Sequence, residues 1–374
     1  MKRLKQKDLY RFIPKFLIPN SSFLIPNCAS ARKMAIYRKE RPMDIEIVSG
    51  LRGAKRAKWI DFLSRAGLEA DEGVTHTALV WDGDELIATG SRQDGLLKCI
   101  AVDDNRQGEG LTATVLTALR QDAFRDGHRH LFLYTKPQNR TAFSSLFFYP
   151  VAQTDRVLLM EDKQGGIDSF LRALAVPCKE GRIGALVMNC NPFTLGHQYL
   201  IEQAASQCDH VYIFVLSEDK SRFSAADRLE MVKLGTAHLK NVTVSPSGPY
   251  LISSATFPTY FLKDRDLASQ VHCQLDIEIF SKRYVPHFGI THRFIGTEQL
   301  SPMTALYNRE LLAQLPQRGI QVVELPRLEK GDVPISASAV RARLDAGEDI
   351  RELVPETTYR YLCDKNLLNQ EDAL

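Results

Sequence analysis

The chain reads as an α/β protein made of two successive folding units, and three features of the sequence say so. From Arg182 onward, short apolar runs alternate with helical stretches, the pattern of a parallel sheet covered by helices. Ahead of it, between Asp44 and Met160, strands gather around an Asp82-Gly83-Asp84 turn, which signals an antiparallel hairpin. At 374 residues and 44% hydrophobic content, the chain is long enough for two cores. The divisions expected are a basic extension (1–42), an α+β domain (43–163), a linker (164–180) and a Rossmann-like parallel-sheet domain (181–374).

The net charge of +3 is unevenly placed. Residues 1–42 carry eleven Lys or Arg against Asp8 and Glu40, which leaves −6 for the other 332 residues. A mildly acidic body argues against a nucleic-acid partner. Within the extension FLIPN occurs twice, from Phe16 and from Phe23, and Pro14, Pro19, Pro26 and Pro42 interrupt any continuous helix. The segment lacks the apolar centre and cleavage site of a signal peptide, so it is expected to be a disordered extension, with Met34 and Met43 as alternative starts. No apolar run approaches the ~18 residues of a membrane span. Seven cysteines, scattered singly and without C-x-x-C, point to reduced thiols in the cytoplasm rather than disulfides or a zinc site.

The first domain opens with a helix over Arg52–Ala66. Strands follow at Thr75–Trp81, Glu85–Ser91 and Leu96–Val102, then a helix over Leu111–Arg125. A strand at His130–Thr135, a helix over Asn139–Phe148 and a strand at Arg156–Met160 complete it. His128 and His130 read as a solvated loop entering a strand, since H-x-H without a third ligand is poor metal spacing. Gln107-Gly108-Glu109-Gly110, between strand and helix, would set open N–H groups at a helix start, which suits phosphate. This order and turn resemble the GNAT acyltransferase fold, in which such a turn takes the pyrophosphate of coenzyme A. Asn105 departs from the family's (Q/R)-x-x-G-x-(G/A), and Pro150 follows Tyr149 near the family's usual tyrosine. With no evident general base, the resemblance implies that Gln107, Gly108, Glu109 and Gly110 bind a CoA-like group, rather than that the domain catalyses acyl transfer. The other reading is an ordinary tight turn.

In the second domain, after a short helix over Ile167–Ala175, Ile183–Met188 is a buried strand. The turn Asn189–Phe193 follows, and then a helix that opens near Gly196 and His197 with Leu200, Ile201 and Ala204 on one face. Such a strand–turn–helix gathers N–H groups and a helix dipole at one point, where His197 reaches phosphate and Gly196 permits close approach. A strand at His210–Leu216 leads to the loop Ser217–Arg222, whose Lys220 and Arg222 are either triphosphate contacts or solvated charges. Ser224 caps the next helix, which runs to His238, and Asn241–Ser245 is a strand. The stretch 249–288, with Tyr250, Phe257, Tyr260 and Phe261, is expected to be a helical insert near an acceptor pocket. His292–Ile295 returns as a strand into Gly296-Thr297-Glu298, with Thr304, Tyr307 and Asn308 on a helix, and Ile320–Leu325 is the last strand. Ser336 and Ser338 then open a helix carrying Arg341, a second arrangement suited to phosphate oxygens, and Pro355–Leu368 ends the fold as a helix. Taken singly, the first stretch also fits an incidental His on a turn and the second a serine-capped surface helix.

TLGH at Thr194–His197 and ISASAVR at Ile335–Arg341 resemble the (H/T)xGH and ISSTxxR motifs of the nucleotidyltransferase superfamily; 139 positions separate His197 from Ser336. Threonine stands where many members have the first His, a common form. A GNAT-like block joined to such a domain, with NCNPFTLGHQYLIE and GTEQLSPMTALYN, resembles the citrate lyase ligase family over residues 44–370. That resemblance implies activation of acetate by ATP with Mg²⁺ to acetyl-adenylate, releasing pyrophosphate. The acetyl group then passes to the CoA-like prosthetic thiol on the citrate lyase acyl-carrier subunit. It gives Thr194, His197 and Arg341 to the reaction centre, and Asn191, Phe193, Gly196, Lys220, Arg222, Gly296, Thr297, Ser336 and Ser338 to the nucleotide. It implies no tightly bound organic cofactor, no protein-held metal, and no nucleic-acid or membrane partner. Three alternatives stay open: an adenylyltransferase acting on phosphopantetheine or a mononucleotide, a GNAT acetyltransferase with a nucleotide-sensing domain, and a non-catalytic regulator.

Overall fold

Two sheets carry the structure, a computed structural model that describes residues 43–217, 221–251, 265–298, 301–331 and 333–368. The first sheet is built from β1 (Asp44–Ser49), β2 (His76–Asp82), β3 (Glu85–Gln93), β4 (Leu96–Val102), β5 (Phe132–Thr135), β6 (Tyr149–Gln153) and β7 (Leu158–Glu161). Helices α1 (Gly53–Arg65), α2 (Leu111–Arg125), α3 (Arg140–Ser144) and α4 (Gly166–Arg172) accompany it. The strand order is β1-β2-β3-β4-β5-β7-β6. Trp59, Phe62 and Leu63 of α1 cover one face and Val115, Leu116 and Leu119 of α2 the other. β4 and β5 are paired in parallel only at Leu96–Phe132 and Leu97–Leu133, so beyond those residues the two strands part. The Gly108–Gly110 turn follows β4 and leads into α2.

Four local readings change. Strand β1 was not visible, because its alternation is short. The helix expected over Asn139–Phe148 is only a 3-10 turn, Pro137–Asn139, and the five-residue α3; Phe147, with φ +61°, turns the chain into β6. Pro150 made β6 hard to foresee, yet β6 is an edge strand, where a missing N–H need not break a ladder. His130 is not a solvated loop residue: its Nε2 hydrogen-bonds the buried Glu161 carboxylate at 2.7 Å.

The second sheet is wholly parallel, with strands β8 (Ile183–Met188), β9 (His210–Val215), β10 (Val242–Pro246), β11 (His292–Gly296) and β12 (Gln321–Leu325) in the order β10-β9-β8-β11-β12. The chain therefore winds one way from β8 and then the other, which puts the topological switch point between β8 and β11. These two strands pair only at Gly184–His292 and Ala185–Arg293. Past those residues their C-terminal ends diverge and leave a crevice. α5 (Leu195–Gln207) and α6 (Ala225–Thr236) pack on one face with Leu186, Ile213 and Phe294. α7 (Arg265–Ile279), a π-helical turn at Phe280–Tyr284, α8 (Val285–Phe288) and α9 (Pro302–Gln314) cover the opposite face with Ala185, Phe214 and Ile295. A two-stranded ribbon of β13 (Glu329–Lys330) and β14 (Val333–Pro334) precedes α10 (Ala337–Asp345) and α11 (Glu356–Asp364), which join α5 and α6.

The described residues form one compact unit, and a single apolar cluster runs from Trp59 and Leu159 to Tyr284 and Phe288. Tyr250 donates to Glu161 at 2.8 Å, so the start of the expected insert ties the sheets together. Phe257, Tyr260 and Phe261 lie outside the described residues. No helix among the described residues is long and apolar enough to cross a membrane.

Candidate active site

Between the end of β8 and the start of α5, six residues fold into a largely buried turn. Thr194 caps α5: its hydroxyl accepts the His197 N–H at 3.3 Å, and its own N–H donates to His197 Nδ1 at 3.1 Å. A backbone N–H can only donate, so Nδ1 is an acceptor and the proton of the neutral ring sits on Nε2. Burial, with the nearby Arg327 charge, pushes the His197 pKa down to about 4. The side chain is therefore a neutral Nε2–H donor at ordinary pH, and it faces the crevice.

The second motif meets the first. Ser336 caps α10, accepting the Ala339 N–H at 3.1 Å, and Arg341 one turn later donates to the Asn191 carbonyl at 2.6 Å and to Ser338 Oγ at 3.2 Å. A Cβ on Gly196 would fall 2.7 Å from the Ile335 carbonyl oxygen, closer than real Cβ atoms come. The close approach that this glycine permits is thus to the backbone leading into α10, and not only to a ligand as expected from sequence.

Thr194, Gly196, His197, Gly296, Ser336 and Ser338 share one cleft of about 550 Å³ at the β8–β11 switch point. Five other expected site residues do not line it. Phe193 is fully buried, stacks under the His197 ring at 5.9 Å between centroids and packs against Gly235. Asn191 is buried, its side-chain oxygen accepting the Phe223 N–H at 3.2 Å. Arg222 pairs with Asp345 of α10. Thr297 bridges neighbours through its backbone, N–H to the Leu325 carbonyl at 2.9 Å and carbonyl from Arg327 Nε at 2.6 Å. Arg341 braces the two motifs from behind. Lys220 lies outside the described residues. Gln107, Gly108, Glu109 and Gly110 belong to the first sheet, at the start of α2, where Gly108 and Gly110 have φ of +87° and +75° and no side chain caps the helix. Glu109 there is paired with Arg106, which also holds Asp82.

The helix starts at α5 and α10 are also less open than the sequence suggested. The Leu195 N–H is taken by the Leu353 carbonyl, and the His197 and Ala339 N–H groups by the caps.

Among the described residues, His76, Asp122 and Asp126 have metal-like spacing, but the Arg92 guanidinium is ion-paired with both carboxylates. Among the described residues that line the cleft there is one carboxylate, Glu298, engaged by Arg327.

A family description, the citrate lyase ligase C-terminal domain, matches residues 183–362. Citrate (pro-3S)-lyase ligase of Klebsiella pneumoniae is 45% identical over 74% of this chain and 83% of its own length. The ligase of Escherichia coli K12 is 37% identical over 85% of this chain and 93% of its own. The chain belongs to the citrate lyase ligase family. Among solved structures, Escherichia coli ElaA is similar at 12% identity, covering 32% of this chain and 99% of that one, with a TM-score of 0.30. The segment matched to the citrate lyase ligase C-terminal domain holds every residue that lines the cleft.

Several residues here were not singled out by motif. Arg293 and Arg327 line the cleft. A lone arginine inside an apolar strand, and another just past the C-terminal end of the last strand, were the available signals. Arg228 gave none: fully buried on α6, it donates to the carbonyls of Asn189 (2.9 Å), Leu216 (2.7 Å) and Phe223 (3.0 Å), and so fixes the turn after β8.

Proposed function

We propose that the chain forms acetyl-adenylate from acetate and ATP and acetylates the CoA-like prosthetic thiol of the citrate lyase acyl-carrier subunit, thereby activating the lyase. The observation that carries the reading is the Arg341–Asn191 hydrogen bond, which ties the turn leading into TLGH to the SASAVR helix beside the cleft, in a chain of the family named for this ligation.

An acetate oxygen attacks the α-phosphorus, a P–O bond forms, and the bond to the β-phosphate oxygen breaks as pyrophosphate leaves. The protein's part is positioning and charge stabilisation. His197 Nε2–H donates to a phosphate oxygen and the ring stays neutral: its low pKa keeps Nδ1 from taking a second proton, and giving up the Nε2 proton would require an imidazolate. The hydroxyls of Ser336 and Ser338 can donate to the departing β,γ end, and Arg327 supplies positive charge beside them. Mg²⁺ would arrive on the nucleotide's phosphates, consistent with a cleft whose lining carboxylate among the described residues, Glu298, is already paired; when bound it neutralises phosphate charge. In the second step the prosthetic sulfur, having lost its proton, attacks the acetyl carbonyl; the C–S bond forms and AMP leaves. The turn at Gly108–Gly110 suits the phosphates of the prosthetic arm.

Pyrophosphate exchange into ATP, run with a panel of small carboxylates and with phosphopantetheine, tests the reading. Acetate-dependent exchange, followed by thiol acetylation of the acyl-carrier subunit, is the expected result. Pyrophosphate release driven by phosphopantetheine and not by acetate would replace it with the adenylyltransferase reading.

A further inference from the structure

A parallel strand covered on both faces calls for apolar side chains, yet β11 carries Arg293, which is 2% exposed. Arg293 lines the cleft, and its Nε and Nη1 are buried without a hydrogen-bond partner among the described residues. The guanidinium lies over the Phe280 ring at 4.9 Å, and Tyr307 and Asp276 are its polar neighbours. Tyr307 donates to Asp276. Burial pulls the Arg293 pKa down while Tyr307 and Asp276 hold it up. Leaving donors of a buried cation unmade is costly, and in a ligand site the usual remedy is an anion.

The neighbourhood defines that anion. Arg293 pairs with Ala185 across the two strands, so Ile295 and Val187, each two residues on, lie on the same face of the sheet. Both line the cleft and are apolar. We propose that Arg293 is the carboxylate-binding residue for the acyl substrate, with the carboxylate on its spare N–H donors and the methyl group of acetate against Val187 and Ile295. The inference rests on the adenylate-forming reading for its substrate, and it adds the residue that selects a small monocarboxylate. It places the acid at the inner end of the cleft, where α7 and α9 close the sheet face, and leaves the Ser336–Ser338 side to the triphosphate.

Arg293→Met and Arg293→Lys, made in the full chain, test it by two routes. In pyrophosphate exchange, Arg293→Met should raise the acetate KM ~30-fold with the ATP KM unchanged, as expected for loss of a charge-assisted contact. Arg293→Lys should fall between it and wild type. By NMR, saturation transfer to acetate should be seen with wild type without ATP and lost in Arg293→Met. If wild type exchanges with acetate but Arg293→Met shows the wild-type acetate KM and still binds acetate, the assignment fails and the adenylation reading stands. If wild type binds acetate in an Arg293-dependent way yet supports no exchange, the assignment stands and the adenylation reading fails. Equal rises in both KM values for Arg293→Met and Arg293→Lys would mark the residue as structural and overturn the proposal. Arg293→Lys keeps the test decisive should the methionine variant not fold.

Discussion

Helices α2 and α5 each follow a strand whose parallel pairing on one side, β4 with β5 and β8 with β11, gives out after two residues, but their first turns are furnished in opposite ways. At α5 the turn is enclosed: Thr194 and His197 cap each other, Leu353 takes one N–H, and the backbone at Ile335 lies against Gly196. At α2 the turn is bare backbone, with Gly110 at the cap and open space around the Cβ positions of both glycines. The first arrangement fixes single atoms, including which imidazole nitrogen holds a proton. The second offers N–H groups to any phosphate that arrives. An enclosed, atom-specific turn suits the place where bonds change, and an open one suits the handle of a long prosthetic arm.

Substitutions should separate the two. His197→Ala removes the fixed Nε2–H donor and should lower kcat for acetate-dependent exchange ~10²–10³-fold. Thiol acetylation from supplied acetyl-adenylate should persist. Loss of the second step as well would mean that the enclosed turn serves both reactions. Arg341→Met breaks the hydrogen bond to the Asn191 carbonyl and should weaken ATP binding ~10-fold or more, measured as the ATP KM. An unchanged value would show that the two motifs hold together without this brace.

Gly108→Val with Gly110→Val forces branched side chains into φ above +70° and should cost about 1–3 kcal/mol of local strain. Thiol acetylation should fall ~10-fold or more while exchange is spared; parallel loss of both would erase the contrast between the turns. The smallest effect concerns pH. His197 is neutral in the folded chain down to about pH 4, whereas an unfolded histidine takes its proton near 6.5. Between those values the unfolded chain binds more protons, so the contribution of His197 to stability is full above about pH 6.5 and declines as pH falls toward 4. Urea midpoints of wild type and His197→Gln should therefore converge with falling pH in that window, and His197 should add no step to the exchange rate between pH 6 and 8.

The enclosed turn was the more legible of the two in the sequence because it is made by side chains. Thr194, His197, Ser336 and Arg341 announce themselves by type and spacing, and the structure brings them together. What surrounds them was hidden for definite reasons. Phe193, Asn191 and Arg222 have the chemistry of ligands, but only tertiary packing reveals that their partners are His197, Phe223 and Asp345. Arg228 works mainly through backbone carbonyl oxygens, which every residue has and which leave no mark in a sequence, with the Asn189 side-chain oxygen as a further acceptor. Arg293 broke the apolar pattern of its strand, a signal that motif spacing passes over. In the first sheet, the strand at Tyr149–Gln153 was masked by Pro150, whose tolerance depends on its being at an edge.

The central claim is that the starts of α5 and α10 form one cradle for the triphosphate of ATP. A crystal structure with an ATP analogue that cannot be cleaved between the α- and β-phosphates tests it most directly. The account predicts a phosphate oxygen within about 3 Å of His197 Nε2, with Ser336 or Ser338 hydroxyl oxygens on the β,γ end. A nucleotide bound with its phosphates away from both His197 and the Ser336–Ser338 segment would contradict it.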